Sequence, residues 1–261
     1  MVERLPPPPM RRPDFLDDFD GELDPARWIA HYLPHWTMPD RSAARYRVTT
    51  AGLELHIDAD QPAWREEDGP LRVSNIQTGE FAGALGTTRG MHRHRPDGLV
   101  VRTEWPLTTP WTPSSGRVDV TIAASTELSC MTAVWLVGLE QLSPLDSGEI
   151  CLCEIDGDAI GAVTAVRTGL KAHHDPRLES DMRTVAVPWN ASEPLTWTAI
   201  WGGGETVIGC EGTVLRRMPQ SPRYPLALMI DVFSSAPPSE GSADPAVVRR
   251  VSGWSMSAAG R

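Results

Sequence analysis

Lysine is almost absent from this 261-residue sequence, and nearly all of its 24 Lys and Arg are arginine. Against them stand 34 Asp and Glu, giving a formal net charge of −10. That balance excludes nucleic acid as the main partner, because phosphate binding needs clustered Lys and Arg. No apolar run approaches the ~18 residues that cross a bilayer, so no membrane partner is expected. The start, Met1-Val-Glu-Arg-Leu-Pro-Pro-Pro-Pro-Met, lacks an apolar stretch of the secretory kind. A cytoplasmic location is expected as the chain stands, or secretion if a leader has been trimmed. Cysteine is scarce: Cys130, Cys151, Cys153 and Cys210. Their spacing does not match a zinc framework, and buried free thiols are expected.

Proline and glycine are plentiful, 24 and 22 residues, and punctuate short segments. Strands are expected at 46–50, 53–57, 98–103, 117–122, 131–137, 162–166, 195–201, 206–210, 226–233 and 247–256. These segments are rich in Val, Ile, Thr and aromatics, and several alternate with period two. No segment sustains a 3.6-residue apolar period; one short helix is expected at 24–28, with Asp24 as cap and Pro25 at its first position. So many short strands imply an all-β fold, a two-sheet antiparallel sandwich or barrel. The proline run Pro6–Pro9 suggests a mobile arm over 1–13, before one domain over 14–261. Residues 77–90 are Gly-rich but lack the Gly-Lys-Ser/Thr ending of a phosphate loop. They read as a surface loop bordering a binding site.

The most informative stretch is Gly148-Glu-Ile-Cys-Leu-Cys-Glu-Ile-Asp-Gly157. Alternation puts Glu149, Cys151 and Cys153 on one face and Glu154 on the other. A bulge at Leu152-Cys153 would return Glu154, and Asp156 with it, to the face of Glu149. Two carboxylates would then share one surface, as retaining glycosidases require. An unbulged triad of Glu154, Asp156 and Asp158 is the competing register, and solvated acids along a strand edge the non-catalytic one.

This segment resembles the Glu-x-Asp-x-x-Glu motif of glycoside hydrolase family 16, the laminarinase- and lichenase-like β-glucanases. Phe19-Asp-Gly-Glu-Leu-Asp-Pro-Ala-Arg-Trp28 resembles the opening of that family, and Gly116-Arg-Val-Asp-Val-Thr-Ile122 one of its strands. Ala133-Val-Trp135-Leu-Val resembles the strand before the catalytic one. Trp197-Thr-Ala-Ile-Trp201 and Leu228-Met-Ile-Asp231-Val resemble later strands. The likeness runs from about residue 14 to 258. It implies a concanavalin A-like jelly roll with a concave substrate cleft, and a retaining endo-glycosidase acting on β-1,3- or β-1,3/1,4-glucan. Glu149 would be the nucleophile and Glu154 the acid/base. Cys151 stands where the family has a helper Asp, and Asp156 would restore part of that charge. Trp135, Trp111, Asp231 and His173 would contact sugar.

The cysteine is the one mismatch. A thiol is a weak donor and normally neutral, so a charge between the two glutamates is lost. That favours one alternative to hydrolysis, a carbohydrate-binding protein on a degenerate cleft; a transglycosylase is the third reading. No cofactor or metal is expected; calcium in particular is not, because the last strand carries no Asp. A polysaccharide or oligosaccharide is the expected partner, and the chain is expected to be a monomer.

Overall fold

A computed structural model describes residues 3–236, 241 and 244–256. It is a sandwich of two antiparallel sheets. Its strands are β1 (Phe15–Asp17), β2 (Arg45–Thr49), β3 (Gly52–His56), β4 (Arg72–Gln77), β5 (Gly116–Ala123), β6 (Cys130–Gly138) and β7 (Glu149–Asp156). The rest are β8 (Thr164–Lys171), β9 (Asp181–Val187), β10 (Leu195–Gly202), β11 (Glu205–Cys210), β12 (Thr213–Met218), β13 (Leu226–Ser234) and β14 (Ala246–Ser255). One sheet runs β12-β11-β10-β5-β14-β3-β2, with β1 also on β14; the other runs β4-β13-β6-β7-β8-β9. Among the described residues helix is confined to single short turns, and no helix is long and apolar enough to cross a membrane.

The core between the sheets follows from period-two alternation. Val118, Val120 and Ile122 of β5 meet Val134 and Leu136 of β6, Ile150 and Leu152 of β7, and Leu228 and Ile230 of β13. Alternate residues of the six-stranded sheet point the other way, and most are apolar too: Ala133, Trp135, Val137, Met229 and Phe233. A face this apolar needs a cover. Tyr32, Leu33, Trp36, Trp64, Met91, Leu99 and Val101, all from connecting segments, supply it and form a second core on the outer face.

Two expected elements differ for this reason. Residues 98–103 are not a strand: Leu99 and Val101 turn onto the outer face, and the backbone bonds to loops, Val101 N–H to Thr87 O at 2.8 Å and Arg102 N–H to His35 O at 2.8 Å. Alternation there serves a loop lid and not a ladder. The expected helix at 24–28 is one capped turn. Asp24 accepts Trp28 N–H at 3.0 Å, and Trp28 is then drawn into the core against Phe15. The proline-rich segment is tied down where the sequence suggested a mobile arm. Leu5 N–H reaches Gly212 O at 2.9 Å, Arg117 holds Pro6 O at 2.6 Å, and Trp254 Nε1 donates to Arg11 O at 3.0 Å. All four cysteines are buried and unbridged.

Candidate active site

Strand β7 carries Glu149 and Cys151 on the outer face. Leu152 and Cys153 both turn into the inter-sheet core, and Glu154 returns outward. The register shows the cause. Trp135 of β6 faces Cys151 and Val134 faces Cys153, so Leu152 is the extra residue of a β-bulge. Gly148 lets the strand start close to its neighbours: its N–H donates to Tyr224 Oη at 2.7 Å, and a Cβ there would lie 2.4 Å from that oxygen. Tyr224 in turn donates to Asp175 at 2.7 Å.

The bulge matches two unequal spacings. The acids Glu149 and Glu154 are five residues apart on β7, while Arg167 and Lys171, four apart on β8, face them one to one: Glu149 opposite Lys171 and Glu154 opposite Arg167. One surplus residue on β7 converts a mismatch into a ladder of two acids against two bases. Oxygens of Glu149 and Glu154 and the sulfur of Cys151 lie within 4.8 Å of one another.

Lys171, the only lysine in the chain, bridges the pair. Its Nζ is 2.9 Å from Glu149 Oε1 and 2.6 Å from Glu154 Oε1. It also stands 4.9 Å from the centre of the Trp135 ring. Glu149 accepts a further contact from His173 Nε2 at 2.9 Å, and Glu154 one from Arg167 Nε at 3.0 Å. Arg167 also clasps Asp156. Burial pushes the Glu149 carboxyl up, but His173 and Lys171 outweigh it and hold the group at about 2. The same contest raises the Lys171 ammonium above its usual range: burial disfavours the charge and the two glutamates restore it. Burial, then the charges of Glu154 and Glu149, drive the Cys151 thiol well up, so it sits between the carboxylates as a neutral group.

His92 completes the wall, its Nδ1 4.0 Å from Glu149 Oε2. Burial depresses it to about 3, so the ring is neutral near pH 7. Both His92 and His173 hold left-handed backbone (φ 50° and 47°), a conformation disfavoured for non-glycine residues. Glu140, also left-handed at φ 55°, accepts the His92 N–H at 2.7 Å and fixes that turn. Burial raises the Glu140 carboxyl to about 8.

The other expected sugar contacts divide. Trp135 is on the outer face beside the pair, with Phe233 at 5.3 Å between ring centres. Asp231 shares that face, opposite Ala133 and Asn75, but is fully buried, and neither oxygen has a hydrogen-bond partner among the described residues. Burial, then the Glu149 charge, raises its carboxyl well above the usual range. Trp111 is the correction. It lies in the core between the sheets, 5.7 Å from Phe15 and 6.3 Å from Trp201, and stacked on Gly253, where a Cβ would meet its ring at 2.5 Å. Its indole fills the gap left by that glycine and does not reach the outer face. The cleft expected there is closed over Glu149, whose side chain is 1% exposed. A cavity of about 360 Å³, lined in part by Leu71, Met131, Asp156 and Phe233, opens at the far end of β6 and β7.

Lys171, Arg167, His92 and Glu140 escaped the sequence reading as members of one constellation. Only Lys171 left a signal, as a lone lysine in an arginine-rich chain. Among the described residues two groups have metal-ligating geometry, His92-Glu149-His173 and Glu149-Cys151-Glu154. Both need Glu149, and the ammonium of Lys171 already neutralises that carboxylate.

No family model and no curated protein matches the sequence. Solved structures do. The GlcNAcα1-4Gal-releasing endo-β-galactosidase from Clostridium perfringens superposes with a TM-score of 0.79 at 20% identity, over 95% of this chain. The chain spans 65% of that protein's length. SCLam, a non-specific endo-β-1,3(4)-glucanase of family GH16, gives a TM-score of 0.63 at 15% identity, covering 97% of this chain and 94% of its own. The laminarinase from Rhodothermus marinus gives 0.62 at 14% identity, covering 94% and 97%. The chain therefore has the jelly-roll fold of the family 16 glycoside hydrolases that its acidic strand resembles.

Proposed function

We propose that the chain is a retaining endo-glycosidase of the family 16 type, cleaving internal β-glycosidic bonds of a polysaccharide. The observation that carries this reading is the Glu149–Glu154 pair, brought within 4.8 Å on one face by the Leu152 bulge, beside the indole of Trp135. Retaining enzymes hold their two carboxyl groups about 5–5.5 Å apart. In this mechanism the Glu149 carboxylate attacks the anomeric carbon and forms a glycosyl ester. Glu154 gives its proton to the departing oxygen, so the glycosidic bond breaks without releasing an alkoxide. Glu154 then takes a proton from water as that water attacks the ester carbon, which restores both carboxyls and the original anomeric configuration. Trp135 offers the sugar a flat apolar platform.

The substrate class that fits the resemblance is a β-1,3- or β-1,3/1,4-glucan. A β-galactosidic glycan is the second reading, favoured by the 0.79 overlap with the endo-β-galactosidase. New reducing ends released from a panel of both classes, with the anomer of the first product followed by NMR, test the proposal. Retention, lost in Glu149→Gln, supports it; inversion, or cleavage that survives the substitution, rejects it.

A further inference from the structure

In double displacement the reacting carbon of the sugar sits between nucleophile and acid/base, and it carries positive charge in the transition state. In this protein that place is taken. The Lys171 ammonium lies between the two carboxylates, 2.9 Å from one and 2.6 Å from the other, and over the indole at 4.9 Å. Carboxylates on two sides and an aromatic face on a third are the partners a cationic sugar ring would need. A side-chain nitrogen and a sugar cannot share them.

We propose that Lys171 is a tethered cation that occupies the sugar position and so determines which ligands the site admits; this rests on the reading of Glu149 and Glu154 as the reacting pair. Entry requires that the ammonium swing out. The chain is built for that. Lys171 is the last residue of β8, its four-carbon stem is flexible, and it is 28% exposed while Glu149 beneath it is 1% exposed. His173 is the second part of the cover, 26% exposed and held on Glu149 Oε2. Arginine, the residue this chain uses almost everywhere else for positive charge, has a planar fork that would lock onto both acids. Lysine is a point charge that can leave. The admitted ligand is one that brings its own positive charge to the Glu pair, or builds it up there during reaction.

Because the chain has one lysine, labelling with ¹⁵N-lysine gives a single side-chain ammonium signal. We expect a slowly exchanging signal in the free protein, as for an ammonium held by two carboxylates. Titration with a polyhydroxylated piperidine, a cationic sugar-ring mimic, should convert it to that of a solvent-exposed lysine. Lys171→Met keeps the length and removes the charge. It should bind the same compound about tenfold or more tightly than wild type by calorimetry, the scale of a close charge pair. A signal unchanged while the piperidine binds overturns the proposal, as does a folded Lys171→Met protein that binds no tighter; either result makes Lys171 a fixed brace. The wild-type titration decides the question should the variant not fold. Failure of the glycosidase reading would show separately: no reducing ends from any polysaccharide with wild type or Lys171→Met, even where the piperidine displaces the ammonium.

Discussion

Asp231 and Glu149 lie on the same face of the same sheet, and both are fully buried. Their carboxyls are driven in opposite directions. Asp231, flanked by Asn75 and Ala133, meets no cation among the described residues, and burial raises it well above the usual range. Burial opposes the charge on Glu149 too, yet His173 and Lys171 bring it down to about 2. The lesson is that position in the sheet does not assign a carboxyl its chemistry; its cross-strand partner does. On the β4–β13 side the partners are an amide and a methyl group, and burial favours the protonated acid. On the β7–β8 side they are an ammonium and a guanidinium, and the Glu149 carboxyl is held charged.

The widest separation between the two acids is expected in activity. Glu149→Gln should lower cleavage of a responsive polysaccharide roughly 10⁴-fold or more, as loss of a nucleophile does. Glu154→Gln should cost about 10²–10⁴-fold. Asp231→Asn, a near-isosteric change at a carboxyl whose ionisation burial opposes, should leave the rate within a few fold. Reducing-end assays on the three variants check the order, and an Asp231 variant as dead as the Glu149 one would break the comparison.

Stability against pH should separate them with opposite signs. The Glu149 carboxyl is lowered on folding, so its contribution is present above the unfolded value of about 4.3 and is lost as pH falls toward 2. The Asp231 carboxyl is raised, so its contribution is full below about 3.9 and is lost as pH rises toward its folded value. The loss runs at up to about 1.4 kcal/mol per pH unit. Asp231→Asn should therefore gain on wild type in thermal unfolding from pH 4 to pH 7, whereas the deficit of Glu149→Gln should be nearly constant there and shrink as pH falls from about 4.3 toward 2. Parallel curves for the two variants would show that the partners do not set the charge.

How much of this was legible beforehand follows the same division between local and cross-strand information. The acidic strand could be read because Gly148, Glu149, Glu154 and Gly157 are close in sequence, and alternation alone demanded a bulge to bring the acids together. Arg167 and Lys171 could not be read, because facing Glu154 and Glu149 depends on a register that only folding sets. Trp111 and Trp135 show the limit for side chains. Both are tryptophans in segments that border the site, and whether an indole fills the gap at Gly253 or flanks Glu149 depends on neighbours from distant strands. Leu99 and Val101 alternate as a strand would and pack on the sheet, yet the backbone there bonds to loops, since period two reports which side is buried and not what bonds the backbone.

A smaller effect is expected from the strand's entry. Gly148→Ala would drive a Cβ to 2.4 Å from Tyr224 Oη and 2.5 Å from Leu178 Cδ1, both in packed surroundings. Overpacking of this kind costs about 1–3 kcal/mol. The thermal midpoint should drop, and the rate with it, since Glu149 is the next residue.

The subtlest test places a third acid between the two regimes. Cys151 lies between Glu149 and Glu154, opposite Trp135 on one side and Gly169 on the other, and its thiol is neutral. Cys151→Asp puts a carboxylate there within reach of the field of Lys171, which already acts on the Cys151 position. Two consequences follow from that one charge. It gives the ammonium an alternative partner beneath the pair, which loosens its hold on the sugar position. It also opposes ionisation of the neighbouring acids by like-charge repulsion, which favours the proton an acid catalyst must carry. Both raise hydrolysis, by up to about tenfold at neutral pH for a shift of one unit. Burying the new charge without enough partners works against this, so the gain should be modest and should come with a lower thermal midpoint. The pH–rate profiles of the two proteins decide it. A higher neutral-pH rate in Cys151→Asp extends the rule that the neighbouring charge sets the acid. A lower rate at every pH would mean that another acid, Asp156 first, already supplies what the third carboxylate was meant to provide.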